Sequence, residues 1–261
     1  MIKKMTANPT GKTVLSENAS PAPVPADRQI DEFGISPKLV ALSEHDIHAR
    51  AFKLLRTTLN RQVTEHGYQV IGVTSCTPNA GKSFIASNLA ASISRLSSRN
   101  TVLVDLDLQR ASIAELFGIP DQAAVVEYLL GSVDRLADIC WTVGDGELSV
   151  FPTFLRTGNS AELLSGERFA TFMSELRQLE GTPLIICDLP PLFVSDDALL
   201  AAQQLDGVLL VVEQGVTTRK QLEAAMRMLY PTKLIGTVFN RFSGGIGDPY
   251  GYAGGYGSYY K

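Results

Sequence analysis

The chain has 261 residues, a net charge of −4 and 45% apolar against 19% charged residues, a composition typical of a soluble globular protein. The negative charge argues against a general affinity for nucleic acid or anionic membrane surfaces, and the three widely spaced cysteines suggest neither a disulfide framework nor a zinc site. No apolar run approaches the ~18 residues of a membrane span, and no hydrophobic segment follows the charged N-terminus, so we expect a cytoplasmic protein.

The first 42 residues are rich in Pro, Ser, Ala, Asn and Asp and contain few large apolar side chains. Such a segment cannot offset its ordering entropy, which predicts a flexible leader over residues 1–42. An amphipathic helix follows over 43–62, with Ser43 as the N-cap and with Ile47, Leu55 and Leu59 on one face.

Apolar strands then alternate with helical segments, from residue 70 to residue 240. The predicted strands are 70–74, 101–105, 148–151, 184–188, 207–213 and 234–240, and the predicted helices are 82–96, 111–116, 123–130, 160–178, 195–204 and 219–229. Strands that are apolar on both faces and separated by helices indicate a parallel sheet covered on both sides. The prediction is a single α/β domain over 43–242 with a doubly wound, mostly parallel sheet.

The last segment, residues 243–261, consists mainly of glycine and tyrosine and has no periodicity, which predicts a flexible tail. Five of the eight tyrosines lie in the last twelve residues, namely Tyr250, Tyr252, Tyr256, Tyr259 and Tyr260. A fully extended tail of this length would reach on the order of 60 Å, enough to meet a neighbouring molecule.

The segment TSCTPNAGKS at 74–83 directly follows a predicted strand and directly precedes a predicted helix, the context of a P-loop. In such a loop the backbone N–H groups surround the phosphates of ATP, Lys82 reaches the β- and γ-phosphates, and the Ser83 hydroxyl ligates Mg²⁺. Cys76 stands where the first glycine of the full pattern would be. The predicted nucleotide-binding residues are Thr77, Pro78, Asn79, Ala80, Gly81, Lys82, Ser83 and Phe84.

Three aspartates follow two further predicted strands. Asp105 ends the strand 101–105 and Asp107 follows two residues later, while Asp188 ends the strand 184–188. Ligands of doubly wound sheets lie outside the carboxyl ends of the strands, so these carboxylates should converge on the Mg-phosphate. The alternative for Asp105 or Asp107 is a cap on the following helix.

The motifs TSCTPNAGKS, VLVDLDLQR and IICDLPP together resemble those of the bacterial tyrosine kinases, P-loop NTPases of the partition-ATPase-like type. The resemblance extends over residues 43–261 and implies an autokinase that transfers the γ-phosphoryl group of ATP to tail tyrosines of a neighbouring subunit. It assigns Lys82 to phosphate binding, Asp105 to activation of the tyrosine hydroxyl, and Ser83, Asp107 and Asp188 to Mg²⁺. Arg110 would contact phosphate or hold a tail.

The resemblance also implies partners and a process. Many relatives fuse this domain to a membrane protein, and this chain resembles the split form, which a separate membrane co-polymerase or chain-length regulator would recruit to the inner face of the plasma membrane. The process is exopolysaccharide or capsule synthesis and export, with a tyrosine phosphatase as a further partner. The family assembles rings through E-x-x-R-x-x-R on the first helix; here Arg50, Lys53 and Arg56 occupy those positions, which leaves a homo-oligomer expected but puts the ring in doubt.

Two other functions stay open from the sequence. A partition-type positioning ATPase shares the fold, although it usually carries a lysine where this chain has Thr77. A nucleotide-sensing adaptor without phosphotransfer is the second, because Asn79 and Ala80 replace the family's frequent Gly-Glu. Asn240 and Arg241, after the last strand, are the candidate adenine contacts.

Overall fold

The computed structural model describes residues 28–30, 34–43, 46, 48–96, 100–144, 147–154 and 156–242. The strands are β1 (Gln29–Ile30), β2 (Val70–Ser75), β3 (Thr101–Asp105), β4 (Trp141–Val143), β5 (Leu148–Phe151), β6 (Leu184–Asp188), β7 (Gly207–Glu213) and β8 (Leu234–Asn240). The helices are α1 (Ala49–His66), α2 (Lys82–Ser94), α3 (Ile113–Phe117), α4 (Val125–Leu129), α5 (Ser160–Ser165), α6 (Glu167–Arg177), α7 (Asp197–Ala202) and α8 (Arg219–Leu229). Short 3-10 turns lie at Val40–Leu42 and Leu136–Asp138.

The strands form one eight-stranded sheet in the order β1-β4-β5-β3-β6-β2-β7-β8. Every neighbouring pair is parallel except β4 with β5. The carboxyl ends of β2, β3 and β6, at the centre, therefore face the same edge. The predicted fold class, a doubly wound and mostly parallel α/β sheet, is confirmed.

Two apolar layers cover the sheet. One includes Phe52 of α1, Leu89 of α2 and Phe117 of α3, and the other includes Phe172 of α6 and Ala225 of α8. All residues of β2, β3 and β6 are buried, which is why these strands read as unbroken apolar runs rather than as alternating patterns.

The start of the domain differs from the prediction. Helix α1 begins at Ala49, not at Ser43, and the flanking His48 makes no side-chain cap. The predicted leader is wrong over its described part, because Gln29–Ile30 pairs with β4 and because Leu39 and Ala41 are only 4% and 6% exposed. The Asn88 side chain of α2 accepts the Ala41 N–H at 3.0 Å and donates to the Lys38 carbonyl at 3.0 Å. The ordered domain thus begins upstream of residue 43; residues 1–27 lie outside the described residues.

Two further details differ. The predicted helix over 160–178 is broken at Gly166, whose extended backbone (φ −78°, ψ 160°) ends α5 and starts α6. The antiparallel strand β4 was not predicted. None of the described helices is long and apolar enough to cross a membrane. The predicted tail, with all five of its tyrosines, lies outside the described residues.

Candidate functional site

The P-loop lies between the end of β2 at Ser75 and the start of α2 at Lys82. Two of its residues have left-handed backbone, Asn79 with φ 65° and Gly81 with φ 92°. A Cβ on Gly81 would collide with the side-chain amide of Asn240. Glycine at 81 therefore meets two local requirements, a positive φ and a close approach.

Lys82 lies among the acidic strand ends. Its Nζ atom is 2.7 Å from Asp107 Oδ2 and 3.5 Å from Asp188 Oδ1, and it donates to Ser83 Oγ at 3.2 Å. Lys82, Asp107 and Asp188 are 5%, 2% and 0% exposed, respectively. The structure thus brings the predicted lysine, serine and carboxylates into one buried cluster.

Burial dominates the electrostatics of this cluster. It raises the pKa of Asp188 to about 6, against the opposing effects of the nearby Lys82 charge and of a hydrogen bond with Ser83. The pKa of Asp105 is raised well above its ordinary value by burial and then by the negative charge of Asp188, its register partner on the neighbouring strand. Burial alone would lower the pKa of Lys82, but Asp188 and Asp107 outweigh that effect and raise it.

The residues present fit a divalent cation. Asp107 and Asp188 lie beside one ammonium group, that of Lys82, and all three side chains are buried. Asp188 Oδ2 is buried and has no hydrogen-bond partner among the described residues. Carboxylate and hydroxyl oxygens are suitable ligands for Mg²⁺. Thr77 Oγ1, in the P-loop, is also buried, and no described residue is its hydrogen-bond partner.

Asp105 lies beside the cluster and also accepts two hydrogen bonds from backbone N–H groups. Its Oδ1 accepts the Asp107 N–H at 3.1 Å, and its Oδ2 accepts the N–H of Ile113, the first residue of α3, at 3.1 Å. The alternative interpretation of Asp105, a cap on the following helix, therefore describes a contact that it makes. Since Asp188 also raises its pKa, the cap does not remove Asp105 from the cluster.

The turn after β3 contacts the P-loop twice. Arg110 Nη1 donates to Asn79 Oδ1 at 2.8 Å, and the Ser112 hydroxyl donates to Ser83 Oγ at 2.9 Å. Sequence reasoning singled out Arg110 but missed Ser112. A lone serine at the start of a short helix carries no signal in sequence for a contact across to α2.

The predicted adenine contacts lie beside the P-loop and already have protein partners. Asn240 Nδ2 donates to the Ala80 carbonyl at 2.8 Å, and Arg241, with a positive φ of 56°, pairs with Glu213. Both residues therefore link the end of β8 to neighbouring segments. Adenine binding by either one stays a prediction.

The basic residues of α1 have different surroundings. Arg56 Nη1 donates to the Ser92 carbonyl of α2 at 2.6 Å, and burial lowers its pKa. Arg50 and Lys53 are exposed. Arg56 thus holds α1 against α2, whereas Arg50 and Lys53 lie on the exposed surface of α1.

A buried lysine at the start of a P-loop helix, with aspartates at two adjacent strand ends, defines a P-loop nucleotide-binding protein. Residues 71–248 match the family model described as the CobQ/CobB/MinD/ParA nucleotide binding domain. The chain belongs to this nucleotide-binding family, and it is similar in sequence and fold to bacterial tyrosine kinases.

The similarity to tyrosine kinases extends over most of this chain. The chain is 29% identical over 193 residues to the tyrosine-protein kinase etk of Escherichia coli K12, covering 74% of this chain and 26% of that protein. It is 31% identical over 218 residues to the putative tyrosine-protein kinase EpsB of Ralstonia solanacearum, covering 82% of this chain and 28% of that one. The chain therefore spans about a quarter of the length of these relatives.

The solved kinase domain of the Escherichia coli tyrosine kinase ETK superimposes with a TM-score of 0.71 at 27% identity. This match covers 81% of this chain and 84% of the solved chain. The chain thus resembles the solved kinase domain of one of its longer relatives over most of its length.

Proposed function

We propose that this chain is an ATP-dependent protein-tyrosine kinase that transfers the γ-phosphoryl group of Mg-ATP to tyrosines in the C-terminal segment of a neighbouring copy. The observation that carries the proposal is the buried cluster at the carboxyl ends of the strands, in which Lys82 lies 2.7 Å from Asp107 and 3.5 Å from Asp188. Beside it, Asp188 Oδ2 has no hydrogen-bond partner in the part of the chain that the structure describes. The longer relatives named tyrosine-protein kinases support the choice of reaction.

The proposed roles follow from the positions of the side chains. P-loop N–H groups and Lys82 would hold the phosphates, and Ser83, Asp107 and Asp188 would hold Mg²⁺. Bound Mg²⁺ would neutralise charge on the phosphoryl oxygens. The phenolic oxygen would attack the γ-phosphorus as the bond to ADP breaks. Asp105, whose raised pKa makes it a stronger base than an exposed aspartate, would accept the phenolic proton.

The cellular setting is part of the same proposal. The chain would act in exopolysaccharide or capsule production, in the cytoplasm, at the inner face of the plasma membrane. A membrane co-polymerase or chain-length regulator would recruit and activate it, and a tyrosine phosphatase would reset it. We propose a homo-oligomer, because Tyr250, Tyr252, Tyr256, Tyr259 and Tyr260 are the proposed acceptors in trans. In this organisation residues 243–261 form the acceptor segment of the kinase domain.

The test is mass spectrometry of the full chain after incubation with Mg-ATP, with and without a cytoplasmic fragment of a candidate membrane partner. Phosphate should appear on Tyr250–Tyr260 and disappear in Lys82→Met. Lys233→Met is the matched control, because Lys233 is an exposed lysine just before β8, at the opposite edge of the sheet. A chain ending at Asp248 should bind nucleotide but lack the acceptors.

The alternatives predict different results. ATP binding without phosphotyrosine under any condition would contradict the kinase and favour a nucleotide-sensing adaptor. ATP-dependent dimerisation without phosphotyrosine would favour a partition-type ATPase.

A further inference from the structure

A polar cluster formed by Gln109, Ser160 and Asp197, of which the last two are buried, lies outside the group of residues that contact Lys82. Asp197 Oδ2 accepts hydrogen bonds from Gln109 Nε2 at 2.9 Å and from the Ser160 hydroxyl at 2.8 Å. Gln109 Nε2 is also 3.1 Å from Ser160 Oγ. Asp197 and Ser160 are each 1% exposed. Three distant parts of the chain therefore meet at one carboxylate oxygen: the turn after β3 and the first residues of α5 and α7.

Gln109 lies inside the turn that carries Asp107. Asp107 Oδ1 accepts the Arg110 N–H at 3.2 Å, and its carbonyl accepts the Arg110 and Ala111 N–H groups at 3.1 and 2.9 Å. The Leu108 carbonyl accepts the Thr157 N–H at 3.2 Å. Hydrogen bonds within the turn thus fix its shape, and those made by Leu108 and Gln109 attach it to other segments of the chain. A rotation at Gln109 would be transmitted to the neighbouring Asp107.

Burying a carboxylate costs desolvation free energy, whereas an apolar side chain of similar size would pack at this position without that cost. What Asp197 adds is a fixed acceptor that orients Gln109. Residues behind a metal ligand commonly have this effect, and their removal typically weakens metal binding by about 10- to 100-fold. Here the oriented ligand is Asp107, whose Oδ2 lies 2.7 Å from Lys82.

We infer that Asp197, together with Ser160, is a positioning residue that fixes the turn 107–111 through Gln109 and thereby aims Asp107 at the Mg²⁺ of a bound nucleotide. The inference rests on the nucleotide-binding part of the proposed function and does not require phosphotransfer.

The experiment measures the Mg²⁺ concentration that gives half of the Mg-dependent binding of a fluorescent ADP to the full chain. In Asp197→Ala and in Gln109→Ala this concentration should rise about 10-fold, while ADP binding without Mg²⁺ stays unchanged. Asp197→Asn should remain close to wild type, because its side-chain oxygen can accept the same two hydrogen bonds. The double variant Gln109→Ala/Asp197→Ala should be no worse than either single variant, since both act through one contact.

Tyr128→Phe is the matched control, because it removes another side-chain hydrogen bond, to Glu175 at 3.0 Å, that has no connection to the turn. Thermal unfolding of every variant is recorded in parallel. Lower melting temperatures with an unchanged Mg²⁺ requirement would make the cluster purely structural and overturn the inference. Gln109 is exposed, so Gln109→Ala supplies this readout even if Asp197→Ala does not fold.

The outcome is separable from that of the proposed function. A wild-type chain that forms no phosphotyrosine contradicts the kinase but leaves this inference standing, because ADP binding needs no transfer. If the affinity of the wild-type chain for ADP does not depend on Mg²⁺, the inference is overturned directly.

Discussion

Two aspartates at opposite ends of the central strands show how differently one type of side chain can be used. Asp206, just before β7, accepts the N–H groups of Gln69 and Val70 at 2.7 Å each. Arg177 pairs with both of its oxygens, at 3.1 and 2.9 Å. Asp188, at the carboxyl end of β6, is fully buried and keeps one oxygen without a partner among the described residues.

The pKa shifts of the two carboxyl groups have opposite signs. Burial works to raise the pKa of Asp206, but its hydrogen bonds from Arg177, Gln69 and Val70 outweigh burial and lower it. At Asp188 burial prevails over Lys82 and raises the pKa to about 6. A carboxylate with complete local partners stabilises the fold, whereas one left incomplete in the interior is suited to a ligand that supplies positive charge.

The largest expected effect is on activity at the carboxyl edge. Asp188→Ala should lower the rate of tyrosine phosphorylation by about 10²–10³-fold, the usual loss when one group that stabilises transition-state charge is removed. The measurement is the rate of phosphotyrosine formation at saturating Mg-ATP. Asp206→Ala is the control, and its folded fraction should keep its rate. A comparable loss of rate in both variants would contradict the assignment of a functional role to Asp188 and a structural role to Asp206.

The second prediction concerns stability at the opposite edge. Asp206→Ala should lower the free energy of unfolding by about 3 kcal/mol, the lower end for breaking a buried ion pair, because it removes the carboxylate that pairs with Arg177 and leaves two backbone N–H groups without their acceptor. The side chain is 26% exposed, so a larger loss is not expected. Denaturant unfolding at neutral pH measures the change. A loss below about 1 kcal/mol, the level of a surface ion pair, would contradict the structural role.

The third prediction uses the opposite pKa shifts in the chain without Mg²⁺ or nucleotide. Because the folded-state pKa of Asp188 is raised from 3.8 to about 6, the folded chain loses stability as the pH rises through that window. Asp188→Asn removes this loss, so its stability relative to wild type should increase by at most about 3 kcal/mol between pH 4 and pH 7. Denaturant unfolding in EDTA across this range measures the difference.

Asp206 should behave in the opposite way. Its pKa is lowered, so its stabilisation is present above about pH 4 and is lost as the pH falls through the folded-state pKa. The stability deficit of Asp206→Asn should therefore shrink in acid. A deficit that persists unchanged to about pH 2 would contradict the assigned shift.

The central strands of the sheet were predictable from the sequence, because a strand that is buried on both faces is a continuous apolar run. The strands β3 and β6 were predicted with their observed bounds, and the known behaviour of parallel sheets placed Asp105 and Asp188 at one edge. Short segments were not predictable in this way. Strand β4 has three residues and β1 has two, too few for a pattern, and both form only through pairing with other strands.

Contacts between segments that are distant in the chain could not be predicted from the sequence either. The meeting of Gln109, Ser160 and Asp197 depends on how the starts of α5 and α7 pack beside the turn after β3. No spacing in the sequence encodes that arrangement. The start of α1 was missed for a related reason: Ser43 has the chemistry of an N-cap, but the preceding segment packs on α2, and the helix begins only at Ala49.

The smallest expected effects lie at the end of β8, where side chains near the proposed ligand already have protein partners. Asn240→Ala should cost about 1 kcal/mol of stability through its bond to Ala80, and it should weaken nucleotide binding by a few-fold because that bond holds the P-loop carbonyl. Arg241→Ala should cost less than about 1 kcal/mol, because the Arg241 side chain is 57% exposed in its pair with Glu213. Calorimetric titration with ADP compares the two variants. A greater loss of affinity in Arg241→Ala would mean that this guanidinium leaves Glu213 for the nucleotide, and that a locally paired side chain at this edge can still serve the ligand.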